Sequence, residues 1–255
     1  MMNRRIAIIT GVSRLEGIGR AICHELANQG CDIFFTYWTE YDRQMPWETH
    51  ELEPKQIQSE LQNLGIRCAC LELNLQKVES IQFLFDEVEN QLGNPSILIN
   101  NATFSTESSI SSITAQVLDS HYEVNLRATT LLISEFVKRF KFEANGRIVN
   151  LTSGQSLGKM PNELAYAITK AAIENLTYTI SSEIALKGIT INAVNPGPND
   201  TGWMDDKLKS ELLPRFPMKR LGNPSDTAKI IGFLVSQEAE WITGQIIHSE
   251  GGFMR

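Results

Sequence analysis

Tyr166 and Lys170, four residues apart in a stretch of helical periodicity, put a phenol and an ammonium on one helical face. A nearby cation favours tyrosinate, so the spacing predicts a phenol pKa drawn down from about 10, giving a usable proton donor and acceptor. Chance alone would supply Y-x-x-x-K in roughly one chain of this composition in five, and a core tyrosine beside a snorkelling lysine would look the same. Ser153 follows the mostly apolar run from Arg147 to Thr152. It therefore falls at a strand end, where a hydroxyl can meet a ligand oxygen or cap the next turn. Asn125 sits within a long helical pattern, where its modest propensity is compatible with a hydrogen bond, a local kink or a solvent-facing position.

These groups need a partner that carries electrons, and the start of the chain offers a place for one. The run from Ile6 to Thr10 reads as a buried strand ending in Gly11, and Gly17-Ile18-Gly19 opens a helix. Glycines in that context let backbone approach a pyrophosphate, while the helix N-terminus presents free N–H donors. A glycine pattern alone is weak, since a tight strand-to-helix turn has the same composition. Five residues, Val12 to Glu16, separate Gly11 from Gly17 and predict a bulged loop.

Short apolar runs bounded by turn residues recur at 6–9, 33–37, 68–71, 96–100, 147–151, 190–194 and 245–248. Such runs suit strands buried on both faces of a parallel sheet. Helical patterns lie between them at 19–29, 54–64, 78–91, 113–140, 163–187 and 226–237. The alternation predicts an α/β chain, doubly wound with right-handed crossovers. No linker, repeat or low-complexity tract divides it, so residues 1–255 are expected to form one domain. Residues 39–53, rich in charge and holding Pro46 and Trp47, fit no period and read as a loop inserted after the second strand.

At 255 residues, with 42% hydrophobic and 21% charged, the chain can bury one substantial core. Its formal net charge of -7 repels a phosphodiester backbone, so nucleic acid is not the expected partner. Cys23, Cys31, Cys68 and Cys70 have neither zinc-ligand spacing nor the look of a secreted disulfide framework. No metal is expected. No run reaches membrane-spanning length and no signal segment is evident, so the expected setting is the cytoplasm, away from membranes.

Taken in order, Thr10-Gly11, Gly17-Ile18-Gly19, Asn100-Asn101-Ala102, Asn125, Ser153, Tyr166 to Lys170, Asn195-Pro196-Gly197 and Glu250-Gly251-Gly252 resemble the short-chain dehydrogenase/reductase family. The resemblance runs from the first strand to Gly252 and is nearest to the 3-oxoacyl-(acyl-carrier-protein) reductase group. It implies a Rossmann fold with a mostly seven-stranded parallel sheet, and hydride transfer between a nicotinamide and a carbonyl or secondary alcohol. By resemblance, Tyr166 passes the proton, Ser153 holds the substrate oxygen, Lys170 holds the nicotinamide ribose and lowers the Tyr166 pKa, and Asn125 helps anchor a water. The cofactor cradle implied comprises Gly11, Ser13, Arg14, Gly17, Ile18, Gly19, Tyr37, Asn74, Leu75, Asn101, Ala102, Pro196, Gly197 and Thr201, together with Tyr166 and Lys170. Thr103, Asn74 and Asn199 depart from the family pattern, where glycine, aspartate and an aliphatic residue are usual.

The family's NAD-binding members carry an acid at the end of the second strand, where this chain has Thr36-Tyr37-Trp38. Arg14 could meet a 2′-phosphate with its planar fork, so NADP(H) is the expected cofactor. NAD(H) stays open, with Glu40 or Asp42 as ribose acceptor. Residues 198–222, with Trp203, Met204, Phe216 and Met218 among charges, are expected to form a substrate lid, although an amphipathic helix would have the same pattern. A homotetramer is implied, built through the long helices and the C-terminal strand region, with a dimer open. An NAD-dependent alcohol, sugar or steroid dehydrogenase of the same family and a dinucleotide-binding regulator without activity are the alternatives.

Overall fold

The computed structural model describes residues 4–45, 47 and 50–255. Its strands are β1 (Ile6–Ile9), β2 (Asp32–Tyr37), β3 (Cys68–Glu72), β4 (Ile97–Asn100), β5 (Gly146–Leu151), β6 (Ile189–Asn195) and β7 (Ile246–His248). They form one seven-stranded sheet in the order β3-β2-β1-β4-β5-β6-β7, every neighbouring pair parallel. β1 and β4 are buried along their whole length. That is why their sequences read as unbroken apolar runs instead of alternating.

The helices are α1 (Ile18–Asn28), α2 (Thr39–Asp42), α3 (Glu53–Asn63), α4 (Glu79–Gln91), α5 (Ala115–His121), α6 (Thr129–Arg139), α7 (Leu164–Ala185), α8 (Asp206–Leu212) and α9 (Pro224–Val235). They divide between the two faces of the sheet. Ile22 and Leu26 of α1 pack with Ile231 and Leu234 of α9 over Ile9, Ile33 and Val149. On the other face Leu84 and Phe85 of α4 pack with Leu132 and Phe136 of α6 over Ile8, Phe34 and Ile148. Successive residues of a strand thus feed two separate cores, the hallmark of a doubly wound sheet.

Two elements differ from expectation. The single helix expected over 113–140 is broken by a π-helical turn, Tyr122–Ala128, between α5 and α6. Within the supposed loop 39–53, residues 39–42 form α2; Pro46, Glu48 and Thr49 lie outside the described residues.

Strand order reverses between β1 and β4, so the chain leaves these two strands in opposite directions and opens a crevice at their carboxyl ends. Gly11 follows β1, Asn74 β3, Asn101 β4, Ser153 β5 and Pro196 β6. The topology therefore gathers residues up to 185 positions apart along one edge.

Candidate active site

Gly11 adopts φ +73°, and a methyl on it would stand 2.6 Å from the Ala102 Cα, so the β1 and β4 loops can touch only through glycine. Thr10 fastens the contact: its Oγ1 accepts from the Asn101 N–H at 3.1 Å and the Ala102 N–H at 3.0 Å. Asn101 Nδ2 donates to the carbonyls of Thr10 at 2.9 Å and Gly11 at 2.8 Å. Gly17 then begins α1 with no side-chain cap and no acid in the first turn. The first N–H groups of that helix, which have no intrahelical partner, are left for an anion.

A cleft of about 280 Å³ opens in front of this turn. Gly11, Ser13, Arg14, Gly17, Ile18, Gly19, Tyr37, Asn74, Leu75, Asn101, Ala102 and Thr201 all line it, twelve of the expected cofactor residues. Pro196, Gly197, Tyr166 and Lys170 do not. The cleft also takes in Asp42, the alternative ribose acceptor, and Tyr41, Gln44, Trp47, Phe104 and Val124, which sequence reasoning did not assign. Uncapped helix, close-packed glycine and concave cleft fit a dinucleotide.

The far end of the cleft is built by α2 and its neighbours. The Arg14 guanidinium lies 4.1 Å from the Trp47 ring centre and donates to the Thr201 carbonyl at 3.0 Å. Burial lowers its pKa, with Asp42, Glu53 and Glu16 opposing that shift. Asp42 is only 6% exposed, accepts from Trp47 Nε1 at 3.3 Å, and keeps Oδ2 without a hydrogen-bond partner among the described residues. Burial holds its carboxyl above the usual range, partly offset by the nearby Ser13 hydroxyl, the Trp47 N–H and the Arg14 charge. The β2 end supplies no acid, but the inserted segment brings one to the cleft.

The tetrad assembles beside this cleft. Burial pushes the Tyr166 phenol up to about 12, and the neighbouring Ser153 hydroxyl draws it only part of the way back. This runs against the expected lowering by Lys170: desolvation sets the direction of the shift, and the ammonium stands 5.5 Å from the ring centre. Lys170 is 3% exposed and donates through Nζ to the Leu151 carbonyl at 2.8 Å. Burial brings its own pKa down to about 8.

Asn125 faces inward, 1% exposed, from the π-helical turn. Its Oδ1 accepts from the Phe104 N–H at 2.7 Å and from Thr103 Oγ1 at 3.1 Å. Its Nδ2 donates to the Phe104 carbonyl at 2.9 Å and to Thr169 Oγ1 at 3.0 Å. Both donors and both acceptor sites of the amide are thereby used within the protein, so any water Asn125 anchors must be held by its main chain. Thr169 in turn donates to the Tyr166 carbonyl at 2.8 Å, tying the π-helical turn to α7. Sequence reasoning missed Thr169, whose place between Tyr166 and Lys170 on an inward-facing helix was the available signal.

The departures from the family pattern find local uses. Thr103 bonds Asn125, and Asn74 Oδ1 accepts from the Gln76 N–H at 2.9 Å, tightening the turn after β3. Asn199 donates to the Pro196 carbonyl at 2.7 Å and pairs with Gly222, closing the base of residues 198–222. That segment carries α8 and a 3₁₀ turn, Leu213–Arg215, anchored by buried Met204 and Phe216. Among the described residues, no cluster of three or more His, Cys, Asp or Glu could hold a metal ion.

Comparison with known proteins agrees with this architecture. The family model described as enoyl-(acyl carrier protein) reductase matches residues 11–254. The oxidoreductase YjdA of Bacillus subtilis is 49% identical over 98% of this chain and 97% of its own length. The 3-oxoacyl-[acyl-carrier-protein] reductase FabG of Staphylococcus epidermidis is 32% identical, covering 96% of this chain and 97% of that protein. A blue fluorescent protein from a metagenomic library, solved in complex with NADPH, superposes with a TM-score of 0.88 at 26% identity, over 100% of this chain and 99% of its own. The chain belongs to the short-chain dehydrogenase/reductase family and is an NAD(P)-linked oxidoreductase acting on the CH–OH/C=O pair.

Proposed function

We propose that this protein is an NADP(H)-dependent carbonyl reductase whose substrate class is a 3-oxoacyl thioester or a closely related ketone. The observation that carries the reading is the Ser153–Tyr166 hydroxyl pair, backed by buried Lys170 and set at the sheet edge beside the dinucleotide cleft. The nicotinamide supplies the hydride. Ser153 and Tyr166 hydrogen-bond the substrate oxygen as negative charge grows on it, and Tyr166 delivers the proton. Lys170 holds the ribose beside it, while Asn125 fixes the π-helical turn against Phe104 and α7 and anchors a water through its main chain. Pro196, Gly197 and Thr201 complete the nicotinamide side, and residues 198–222 close over the substrate.

The matched family model takes its name from C=C reduction, but the three-residue gap between Tyr166 and Lys170 supports carbonyl chemistry, since enoyl reductases of the superfamily have a wider gap. Likeness to FabG supports the thioester, and apolar Trp203, Met204 and Phe216 suit an acyl chain. Reduced cysteines, free at all four positions, suit the cytoplasm. The assembly is a homotetramer.

The test is NADPH oxidation with acetoacetyl thioesters, diketones, sugars and steroids. Tyr166→Phe should reduce turnover at least about 100-fold, the lower range of general acid catalysis, with NADPH binding nearly unchanged. Retained turnover would overturn the assignment. Cofactor choice rests on Arg14 prevailing over Asp42. Arg14→Ala should lower kcat/KM for NADPH, and Asp42→Asn should raise it by relieving repulsion of the 2′-phosphate. A native preference for NADH would reverse the choice and make Asp42 the ribose acceptor.

A further inference from the structure

Beyond β7 the chain turns back across the carboxyl edge of the sheet. Ser249 N–H donates to the Asn195 carbonyl at 2.8 Å, and Gly251 and Gly252 reverse the chain with φ of 60° and 73°. Arg255 then grips Glu250 with both guanidinium nitrogens, Nη1 to Oε1 at 2.7 Å and Nη2 to Oε2 at 2.6 Å. Glu250 is shared: Oε2 also accepts from Asn195 Nδ2 at 2.9 Å, at the end of β6 and next to Pro196-Gly197. The Gly197 backbone lies so close to Glu250 that a methyl there would overlap its Cβ.

The Arg255 side chain lies along the loop that follows Ser153. A methyl on Gly154 would overlap the guanidinium, and one on Gly158 would overlap Arg255 Cδ. Neither glycine has positive φ, so space and not backbone conformation is what these positions need. Phe253 stacks on Phe216 with ring centres 4.9 Å apart, and the Met254 N–H donates to the Arg215 carbonyl at 2.9 Å. One short segment thus touches the Ser153 loop, the Pro196-Gly197 loop and the 198–222 segment.

We infer that the Glu250–Arg255 pair is a positioning clasp, holding the loop that carries Ser153 in register with the β6 loop and the lid so that the Ser153 hydroxyl meets the substrate oxygen. The inference rests on the role proposed for Ser153. A bidentate pair on a carboxylate only 9% exposed contributes to stability wherever it sits, so melting temperature alone does not separate a clasp from a structural contact. A misplaced Ser153 would show in kcat, because displacement of a reacting group by about 1 Å costs on the order of 100-fold.

The experiment is a double-mutant cycle on Arg255 and Gly158, assayed with NADPH and an acetoacetyl thioester. Arg255→Ala should lower kcat by about 10- to 100-fold while NADPH dissociation stays within about twofold of native. Arg255→Lys, which keeps the charge but not the planar fork, should recover part of the loss. Gly158→Ala should impair the native enzyme by displacing the arginine stem yet add nothing in the Arg255→Ala background. Unchanged kcat in Arg255→Ala, additive effects, or a loss matched by weaker NADPH binding and a lower melting temperature would each overturn the clasp while leaving the reductase reading in place. A native protein that turns over no carbonyl would overturn that reading first, and the clasp with it.

Discussion

Burial moves Tyr166 and Lys170 apart instead of together: the phenol rises to about 12 and the ammonium falls to about 8. Near neutrality both keep their protons, which equips the pair to donate a proton to a carbonyl. The positive charge of Lys170 is present below pH 8 and lost above it. Since kcat/KM reports the free enzyme, kcat/KM for NADPH should fall as pH rises through about 8. A profile flat or rising from pH 7 to 9 would contradict the role given to that charge. Unfolding would not explain the fall. A lysine whose folded pKa lies below its unfolded value binds fewer protons when folded, so this group makes the protein more stable as pH rises from about 8 to 10.5. Tyr166 acts in the reverse sense only above pH 10. The Tyr166–Lys170 spacing was legible in the sequence, but the sign of the shift was not, because periodicity places charges on a face without reporting how dry that face is.

The π-helical turn shows where element-level reading stops. Apolar spacing over 113–140 predicts one helix, and a single wide turn barely disturbs that spacing; only Asn125, an odd choice inside a helix, signals the interruption. The amide then does what a helix interior cannot, pairing with both polar backbone groups of Phe104. Replacing it with leucine would leave both Phe104 backbone groups without their side-chain partner and remove the donor to the Thr169 hydroxyl, a loss of about 2–4 kcal/mol. Thr169→Val is the milder test of the same link. It should cost about 1 kcal/mol by chemical denaturation, and lower kcat more than it weakens NADPH binding. Equal effects on both would make Thr169 a structural residue only. The buried strands were readable because each faces two cores. α2 was not, since four residues carry no period and its place depends on Tyr41 packing 5.5 Å from Phe104 across the cleft.

At the scale of the molecule, the sequence conveys the alternation of strand and helix but not which outer surface stays dry. Along α7, Ile168, Ala171, Asn175, Tyr178 and Ser182 form an uncharged stripe at helical spacing, with Ile168 and Tyr178 exposed. The turn before β7 packs on the same helix, where a methyl at Gly244 would stand 2.8 Å from Ser181 Oγ, and it leaves Trp241 96% exposed. A bare indole beside an uncharged stripe is unusual on a monomer and fits a surface covered by another copy. Light scattering on the native protein should therefore give a mass well above one 28.6-kDa chain, four copies in the proposed assembly. Trp241→Glu and Tyr178→Glu should each lower that mass, because a carboxylate held against an apolar partner must be desolvated without a counter-charge. The tetrad lies on inward-facing parts of the fold, so the dissociated variants should still bind NADPH. A native protein that runs as a monomer, or a Trp241→Glu variant of unchanged mass, would remove this surface from the assembly.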